Sequence, residues 1–231
     1  MRENTLMVKD VFESIQGEGS YLGLPVVFVR FVGCNLNCEW CDTKKAKYGG
    51  VEVNIEDLSR QIKWAGIDTV VLTGGEPFYQ GAVDTVFLDF LDNLVNNGKE
   101  VHVETNGTFI PDENTVNLIK HYSVSPKLES ANSGDTTKWE HQINIWNYIA
   151  ETNEVTLKFV ISKTEDLREV KRILRGVYPE ELNFKDIIIQ PEFGRGVDFA
   201  KILVKIISSY SYRFDTKVRI IPQVHKLLQL K

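Results

Sequence analysis

Six apolar, β-branched segments alternate along the chain with segments of helical periodicity, and this alternation restricts the possible folds more than any other feature. The apolar segments have the character of buried strands and span residues 26–32, 69–73, 100–105, 155–162, 186–190 and 217–221. Helical patterns lie between them at residues 54–66, 83–98, 165–177 and 198–209. Strands that alternate with helices predict a mainly parallel sheet with right-handed crossovers. Because six units are too few for an eightfold barrel, we expect an α/β fold with a partial, open βα barrel.

The first helical pattern carries clear signals at both ends. Asn54 suits the N-cap, Glu56 and Asp57 would interact favourably with the helix dipole in the first turn, and Gly66 marks the end. Residues 129–154 are polar and contain Trp, and we interpret them as a helical connection without assigned chemistry.

The bulk properties indicate the class of protein. A chain of 231 residues suits one domain spanning residues 1–231. The formal net charge of −5, with Lys and Arg dispersed along the chain, argues against a nucleic-acid partner. No segment approaches the ~20 apolar residues of a membrane span, so we expect no membrane association and a cytoplasmic location.

Five distinctive segments lie at or directly after the ends of apolar stretches. They are CNLNCEWCDT at 34–43, TGGEP at 73–77, ETNGT at 104–108, SPK at 125–127 and QPEF at 190–193. Reactive groups in parallel βα folds gather on the loops after the carboxyl ends of the strands. A single segment such as TGGEP is compatible with an ordinary tight turn, but the joint placement of all five predicts one site on one rim of the barrel.

All three cysteines of the chain, Cys34, Cys38 and Cys41, lie within the first of these segments. In a reducing compartment such a cluster favours metal binding or reactivity over a disulfide. A structural zinc site needs a fourth ligand, and none of the four histidines is spaced to provide it. An iron–sulfur cluster normally uses four thiolates. With three, one iron of a cubane would stay open to the amino and carboxylate groups of an amino acid.

The stretch CNLNCEWC matches the CxxxCxxC signature of radical S-adenosylmethionine (radical SAM) enzymes, and the resemblance extends over essentially the whole chain. It implies an open barrel of the radical SAM type and a 4Fe–4S cluster on the three cysteines, with S-adenosylmethionine on the fourth iron. One electron would cleave the sulfonium to a 5′-deoxyadenosyl radical, which abstracts hydrogen from the substrate. The resemblance implies further contacts to S-adenosylmethionine from Trp40, Asp42, Gly74, Gly75, Glu76, Ser125, Lys127 and Gln190. The two glycines would let the backbone approach the methionine amino group, which Glu76 would help to orient.

Three segments narrow the resemblance to one family. FESIQGEG at 12–19, VRFVGCNLNCEWCDT at 29–43 and IPQVHKL at 221–227 are similar to the 7-carboxy-7-deazaguanine synthase family, and the match spans residues 6–230. This implies a radical-mediated contraction of the ring of 6-carboxy-5,6,7,8-tetrahydropterin with loss of ammonia, on the queuosine-type pathway to 7-deazapurine bases in transfer RNA. It also implies a homodimer and a flavodoxin- or ferredoxin-like reductant.

A pterin presents a flat edge of hydrogen-bond donors and acceptors, and the site needs polar groups that match it. The main chain of Ile15, Gln16 and Gly17 would face this edge, and Glu104 would accept hydrogen bonds from its amino and N–H groups. Thr73 completes the predicted set. Two alternatives stay open: an ordinary glycine turn at 17, and a helix cap or surface carboxylate at 104.

The carboxylate of the substrate needs a cation, and Arg30 is the candidate. It lies inside the apolar segment VVFVRFV, so we expect it to be buried and therefore paired. Its guanidinium suits a substrate carboxylate, but a structural Glu partner is equally compatible with the sequence. His225 also has two interpretations, a substrate contact or a cap of the C-terminal segment.

Thr43 lies two positions after the last cysteine, and the resemblance implies that its hydroxyl binds Mg²⁺ together with oxygens of the pterin. Mg²⁺ prefers hard oxygen ligands and often takes few of them from the protein. The alternative is that Thr43 caps the turn into KKAKYGG at 44–50.

Two other functions share part of the pattern. An activase that acts on the glycine backbone of a partner protein has the same cluster and GGEP, but IQGEG and CDT speak against it, because a protein substrate needs no pterin-edge pocket. An electron-transfer iron–sulfur protein would account neither for three cysteines instead of four nor for TGGEP.

Overall fold

One sheet of nine strands organises the part of the chain that the computed structural model describes, residues 4–81, 85–134, 138–177, 182–209 and 217–230. The strands are β1 Thr5–Ile15, β2 Pro25–Phe31, β3 Val51–Asn54, β4 Thr69–Gly74, β5 Glu100–Thr105, β6 His121–Val124, β7 Glu154–Ile161, β8 Phe184–Pro191 and β9 Val218–Ile220. The helices are α1 Ile55–Trp64, α2 Pro77–Gly81, α3 Thr85–Asn96, α4 Glu113–Leu118, α5 Trp139–Ala150, α6 Asp166–Leu174, α7 Gly196–Ser208 and α8 Val224–Leu227. Short 3-10 turns lie at Lys44–Lys47, Glu129–Ala131 and Phe193–Arg195.

The strands lie in the spatial order β3-β1-β2-β4-β5-β6-β7-β8-β9. Every neighbouring pair from β2 to β9 is parallel. In contrast, β1 runs antiparallel to both β2 and β3. The sheet has two edges, β3 and β9, and is therefore open. This confirms the predicted α/β fold with a partial, open βα barrel and a mainly parallel sheet.

The predicted elements correspond closely to the observed ones. All six predicted strands are present, with ends shifted by no more than two residues. The four helical patterns form α1, α3, α6 and α7, although residues 83 and 84 of the second pattern lie outside the described residues. Asn54 caps α1 as predicted, since its side chain accepts from the N–H groups of Glu56 and Asp57. No helix in the described ranges is long and apolar enough to span a membrane.

The two antiparallel strands at one side of the sheet, β1 and β3, were not predicted. In β1 only Leu6 and Val8 are buried, and charged residues interrupt the apolar pattern. The strand β3 is four residues long and largely exposed. Because both strands lie at or next to an open edge, they bury little apolar surface, and their composition resembles that of a loop.

The parallel strands present different chemistry on their two faces, because successive side chains point to opposite sides. In β5, Val101 and Val103 pack in the main hydrophobic core. Glu104, on the other face of β5, lines a cavity inside the barrel, as do Lys158 of β7 and Gln190 of β8. The inner face of the sheet thus supplies polar groups to one enclosed space.

Candidate active site

A cavity of about 420 Å³ lies at the carboxyl ends of the parallel strands. Nearly all of the residues predicted for the site line it: Ile15, Gln16, Gly17, Arg30, Cys34, Cys38, Trp40, Cys41, Asp42, Thr43, Thr73, Gly74, Gly75, Glu104, Ser125, Lys127, Gln190 and His225. The one exception is Glu76. The structure therefore brings the predicted cluster, cofactor and substrate residues to one place, and the role of each stays a prediction.

The loop that carries the three cysteines is held by residues far along the chain. All three thiols are free and half-buried. The N–H of Asn37 donates to the carbonyl oxygen of Ser133 at 2.7 Å, and the N–H of Glu39 donates to that of Ala131 at 2.9 Å. Residues 129–154, to which we assigned no chemistry, thus contribute their first turn to fixing the cysteine loop.

The cysteine loop suits an iron–sulfur cluster. Burial raises the pKa of the Cys34 and Cys38 thiols, so both are protonated at neutral pH in the metal-free protein. Iron needs thiolates, and binding would therefore release these protons. The N–H of Leu36 already points at the Cys34 sulfur, at 3.4 Å. Three soft sulfur donors on one short loop beside a cavity are a donor set that fits iron.

The glycine pair at the end of β4 is required by the packing of the protein itself. A Cβ on Gly75 would overlap the carbonyl oxygen of Gly33, and Gly74 has φ +119°, where side chains are strained. The N–H of Gly75 donates to the carbonyl oxygen of Phe31 at 3.1 Å. The glycines thus let the end of β4 lie against the end of β2, a reason that the sequence did not reveal.

Glu76 lies behind the cavity wall. Its fully buried carboxylate accepts hydrogen bonds from Thr105 Oγ1 at 2.8 Å and from the N–H groups of Asn106 at 2.7 Å and Phe78 at 3.2 Å. Burial raises its pKa to about 7, although these hydrogen bonds oppose the shift. Glu76 therefore acts on the cavity through Asn106, which lines it, and an orienting role toward a ligand would be indirect.

Gln190 and Arg30 leave buried polar atoms without a hydrogen-bond partner among the described residues. Both amide atoms of Gln190 and the Nε of Arg30 are in this state. Buried polar atoms are almost always paired in folded proteins. Because both residues line the cavity, these atoms are suited to a polar ligand.

The setting of Arg30 corrects one expectation. The side chain is 20% exposed instead of buried, and its Nη1 pairs with Asp10 Oδ2 at 3.3 Å rather than with a Glu. The guanidinium also lies over the ring of Phe12, 5.0 Å from the centroid. The adjacent Val29 and Phe31 point to the other face of the sheet and are fully buried in the main core, whereas Arg30 lines the cavity.

Three residues predicted to contact substrate form one hydrogen-bonded set. Gln16 Nε2 donates to Glu104 Oε1 at 3.0 Å, and Thr73 Oγ1 donates to Glu104 Oε2 at 2.7 Å. Glu104 is thus neither a helix cap nor a surface carboxylate. Each of its oxygens keeps a lone pair for a further donor.

A buried ion pair that the sequence did not predict forms part of the same wall. Lys158 and Glu18 are in direct contact, and Gln223 Nε2 donates to Glu18 Oε1 at 2.6 Å. Lys158 is the single cation in the apolar segment VTLKFVIS, just as Arg30 is in VVFVRFV. A lone cation within a predicted buried strand singled out Arg30, and the same criterion would have identified Lys158.

The segment after β9 packs over the loop of Gly17. The N–H of Val224 donates to the carbonyl oxygen of Gly17 at 3.0 Å, and a Cβ on Gly17 would overlap the ring of His225. This contact explains the glycine. His225 lies inside α8 and lines the cavity, and its carbonyl oxygen accepts from the N–H of Leu230 at 2.9 Å, so both interpretations stay open.

Glu18, Asp42 and His225 bring potential metal-ligand atoms within 4.8 Å of one another. Asp42 lies 3.3 Å from the Lys226 ammonium, and Glu18 pairs with Lys158. Since protein cations already neutralise both carboxylates, we assign no metal to this group.

Thr43 is placed for a role other than capping. Its Oγ1 donates to the carbonyl oxygen of Gly74 at 3.0 Å, lies 3.6 Å from Cys41 Sγ, and makes no capping hydrogen bond to the turn that follows. Because the hydroxyl proton is used at Gly74, the Cys41 thiol can only donate to the Thr43 oxygen, and this leaves one lone pair of that oxygen for a cation.

The sequence is similar to characterised families and the fold to solved structures. A sequence model of the Radical SAM superfamily matches residues 28–175. The chain is 35% identical over 228 residues to the 7-carboxy-7-deazaguanine synthase of Thermoplasma acidophilum, covering 96% of this chain and 97% of that protein. It is 34% identical over 230 residues to the 7-carboxy-7-deazaguanine synthase of Aquifex aeolicus, covering 99% and 96%. The crystal structure of QueE from Escherichia coli has the same fold, with a TM-score of 0.68 and 23% identity over 96% of this chain and 95% of that chain.

Proposed function

This chain belongs to the 7-carboxy-7-deazaguanine synthase family of radical SAM enzymes, and on that premise we propose how its cavity converts 6-carboxy-5,6,7,8-tetrahydropterin to 7-carboxy-7-deazaguanine with loss of ammonia. One observation carries the assignment of roles. The residues that carry the three free thiols line the same cavity as the hydrogen-bonded polar set of Gln16, Thr73 and Glu104.

Cys34, Cys38 and Cys41 would hold the 4Fe–4S cluster. When bound, the cluster and S-adenosylmethionine supply the radical that removes a hydrogen atom from the substrate. The protein would bind the methionine and nucleoside through the unpaired amide of Gln190 and through Ser125 and Lys127, whose Oγ and Nζ lie 2.9 Å apart. The half-buried setting of the loop would limit the access of water to a cofactor bound there.

The pterin would lie with its donor edge on Glu104 and with its carboxylate toward Arg30. Both oxygens of Glu104 are already fixed by Gln16 and Thr73, so the carboxylate is held in place before the substrate arrives. The unpaired Nε of Arg30 is a donor for the substrate carboxylate, in addition to the pair with Asp10.

A Mg²⁺ ion would join Thr43 to the oxygens of the substrate. The hydroxyl of Thr43 is oriented by its hydrogen bond to Gly74. One neutral hydroxyl is too weak to hold the ion alone, so binding would require the substrate as well.

The electron would come from a flavodoxin- or ferredoxin-like protein. Exposed Lys44 and Lys45 directly follow the cysteine loop and would offer a positive surface to an acidic carrier, in a chain whose net charge is −5. Free thiols are typical of a reducing compartment, so we propose a cytoplasmic location. We also expect the enzyme to be a homodimer.

The test uses protein whose cluster has been reconstituted under anaerobic conditions. With S-adenosylmethionine, dithionite and the carboxytetrahydropterin, we expect 5′-deoxyadenosine, 7-carboxy-7-deazaguanine and ammonia, measured by liquid chromatography with mass spectrometry. Changing Cys34, Cys38 or Cys41 to Ala would abolish cluster absorbance and cofactor cleavage together. A wild-type protein that cleaves S-adenosylmethionine but leaves the pterin intact would contradict the proposed substrate.

A further inference from the structure

The loop that carries Gln16 and Glu18 enters the barrel from the side opposite to the other site segments. Because β1 is antiparallel to β2, the loop between them, residues 16–24, starts at the amino ends of the parallel strands. It then turns into the interior, where Gln16 bonds Glu104 and Glu18 pairs with Lys158. We name residues 16–24 the floor loop, because they close the cavity on the side of the amino ends of the parallel strands.

Ser20 anchors the floor loop to the inner face of the sheet, although it does not line the cavity. Its Oγ donates to Asp186 Oδ2 at 2.6 Å and lies 2.6 Å from Thr156 Oγ1. Thr156 Oγ1 in turn lies 2.8 Å from Nε2 of His121. One hydroxyl of the loop is thereby joined to three neighbouring strands, β6, β7 and β8.

The direction of each hydrogen bond in this chain follows from the number of protons. Ser20 has one hydroxyl proton, and Asp186 takes it, so Thr156 must donate to Ser20. Thr156 has then used its own proton, so His121 must donate through Nε2. Burial lowers the pKa of His121 to about 3, so its ring is neutral and carries that single proton. The chain ends on Asp186, which also accepts from Arg219 at 2.6 Å.

Tyr21 makes a second anchor beside the first. Its hydroxyl donates to Glu154 Oε2 at 2.6 Å and accepts from Lys185 Nζ at 2.9 Å. Its ring contacts those of His102 and His121, at centroid distances of 4.4 and 4.8 Å. Together Ser20 and Tyr21 join the floor loop, directly or through Thr156, to side chains of four strands, β5 to β8. An ordinary surface turn makes far fewer side-chain contacts to the sheet.

We propose that Ser20 and Tyr21 are positioning residues, which fix Gln16 and Glu18 against the substrate and so couple radical formation to product. The inference rests on the proposed function. Neither anchor touches the cavity, so each acts only through the loop. A displacement of about 1 Å at a reacting centre costs about 100-fold in rate, and a radical formed beside a displaced substrate is lost to side reactions.

The test replaces the hydroxyl of one anchor and keeps its ring. In Tyr21→Phe we expect wild-type cluster absorbance and wild-type cleavage of S-adenosylmethionine without substrate. The KM for the carboxytetrahydropterin should rise by up to about tenfold, because the energy of the lost hydrogen bond to Glu154 limits how much the displaced loop can weaken substrate binding. The ratio of 5′-deoxyadenosine to product should rise as well, and amide hydrogen exchange at residues 16–19 should accelerate. Tyr148→Phe, at an exposed position of α5, is the matched control and should leave all five quantities unchanged.

Two results would overturn the inference. One is an unchanged KM, product ratio and exchange rate in Tyr21→Phe. The other is a lower Tm and kcat at unchanged KM and ratio, which would mark a purely structural role. If Tyr21→Phe does not fold, the same measurements on Ser20→Ala decide, with rescue expected in Ser20→Thr. If wild type makes no product, the proposed function fails, and hydrogen exchange still tests the floor loop by itself.

Discussion

The ammonium of Lys158 and the carboxylate of Glu18 form a buried ion pair in the wall of the cavity, although the two residues are 140 positions apart in the sequence. Burial raises the pKa of Glu18, but the attraction and hydrogen bond of Lys158, the hydrogen bond from Gln223 and the attraction of His225 together outweigh it, and the pKa falls to about 2. Burial lowers the pKa of Lys158, but the attraction of Glu18, Glu104 and Asp42 and the hydrogen bond to Glu18 together raise it above its ordinary value. The pair is thus charged across the physiological range and ties β7 to the floor loop.

Replacing Lys158 by Met should leave the Glu18 carboxylate buried without its partner. We expect a loss of about 3–5 kcal/mol in the free energy of unfolding, the scale for breaking a buried pair from one side. Lys201→Met breaks an exposed pair with Asp198 and should cost at most about 1 kcal/mol. Denaturant unfolding of both variants measures the difference, and equal losses would contradict the role of the buried pair.

Arg30→Met should weaken the binding of the carboxylated substrate by about 2–5 kcal/mol, the scale for losing one partner of a desolvated charge pair. Cluster absorbance and cofactor cleavage without substrate should stay at wild-type levels. Asp10→Asn is the control, because it removes the protein partner of Arg30 and leaves the guanidinium in place. If Asp10→Asn weakens the binding of the substrate as much as Arg30→Met does, Arg30 stabilises the protein structure and does not bind the ligand.

Mg²⁺ should accelerate turnover of the wild type several-fold and have little effect on Thr43→Val. Valine has nearly the shape of threonine but offers no oxygen to the ion. Thr43→Val also loses the hydrogen bond to Gly74. Thr43→Ser keeps the hydroxyl and is the control, so its turnover should still be accelerated by Mg²⁺. Turnover is measured in metal-free buffer with added Mg²⁺, and equal stimulation of wild type and Thr43→Val would remove Thr43 from the metal site.

Reversing the charge of Lys44 and Lys45 to Glu should slow turnover supported by a flavodoxin but not turnover supported by dithionite. An acidic carrier approaches a positive surface faster, and this attraction weakens as salt is added. Two exposed lysines on other elements, Lys63 of α1 and Lys205 of α7, changed to Glu, provide the control. If the loss with flavodoxin is the same in both double variants, the carrier docks elsewhere.

His121 should make the protein less stable in mild acid. Its pKa is lowered from 6.5 to about 3, so at pH 5 the unfolded chain binds a proton there and the folded protein does not. The free energy of unfolding is therefore not reduced by His121 above pH 6.5, and it decreases as the pH drops from 6.5 toward 3. At pH 5 the decrease is about 2 kcal/mol. In His121→Gln, which keeps a donor for Thr156, the difference in unfolding free energy between pH 7 and pH 5 should shrink by that amount. An unchanged difference would mean that another group dominates.

The parallel part of the fold and the place of the site follow from local patterns in the sequence. Segments such as VVFVRFV and TVVLT are buried on both sides and read as strands on their own. The topological rule for parallel strands then places the cysteine loop and TGGEP at one rim.

What the sequence did not reveal depends on contacts between distant segments. The Glu18–Lys158 pair and the position of Glu76 behind the wall require the finished barrel. The antiparallel β1 is the clearest case. The sequence predicts that IQGEG contributes to the site, and residues 15–18 do line the cavity. They reach it from the amino ends of the parallel strands, however, because β1 is antiparallel to β2.

The anchoring of the cysteine loop also bears on the order in which the enzyme matures. The thiols lie at positions 34 to 41, but the backbone partners of their loop are Ala131 and Ser133, and the segment that packs on the floor loop begins at Gln223. A nascent chain on the ribosome presents the three cysteines long before either support exists. A cluster delivered before those segments have folded would meet a loop without its supports, so we expect delivery to follow the folding of residues 131–133 and of Gln223 onto the site.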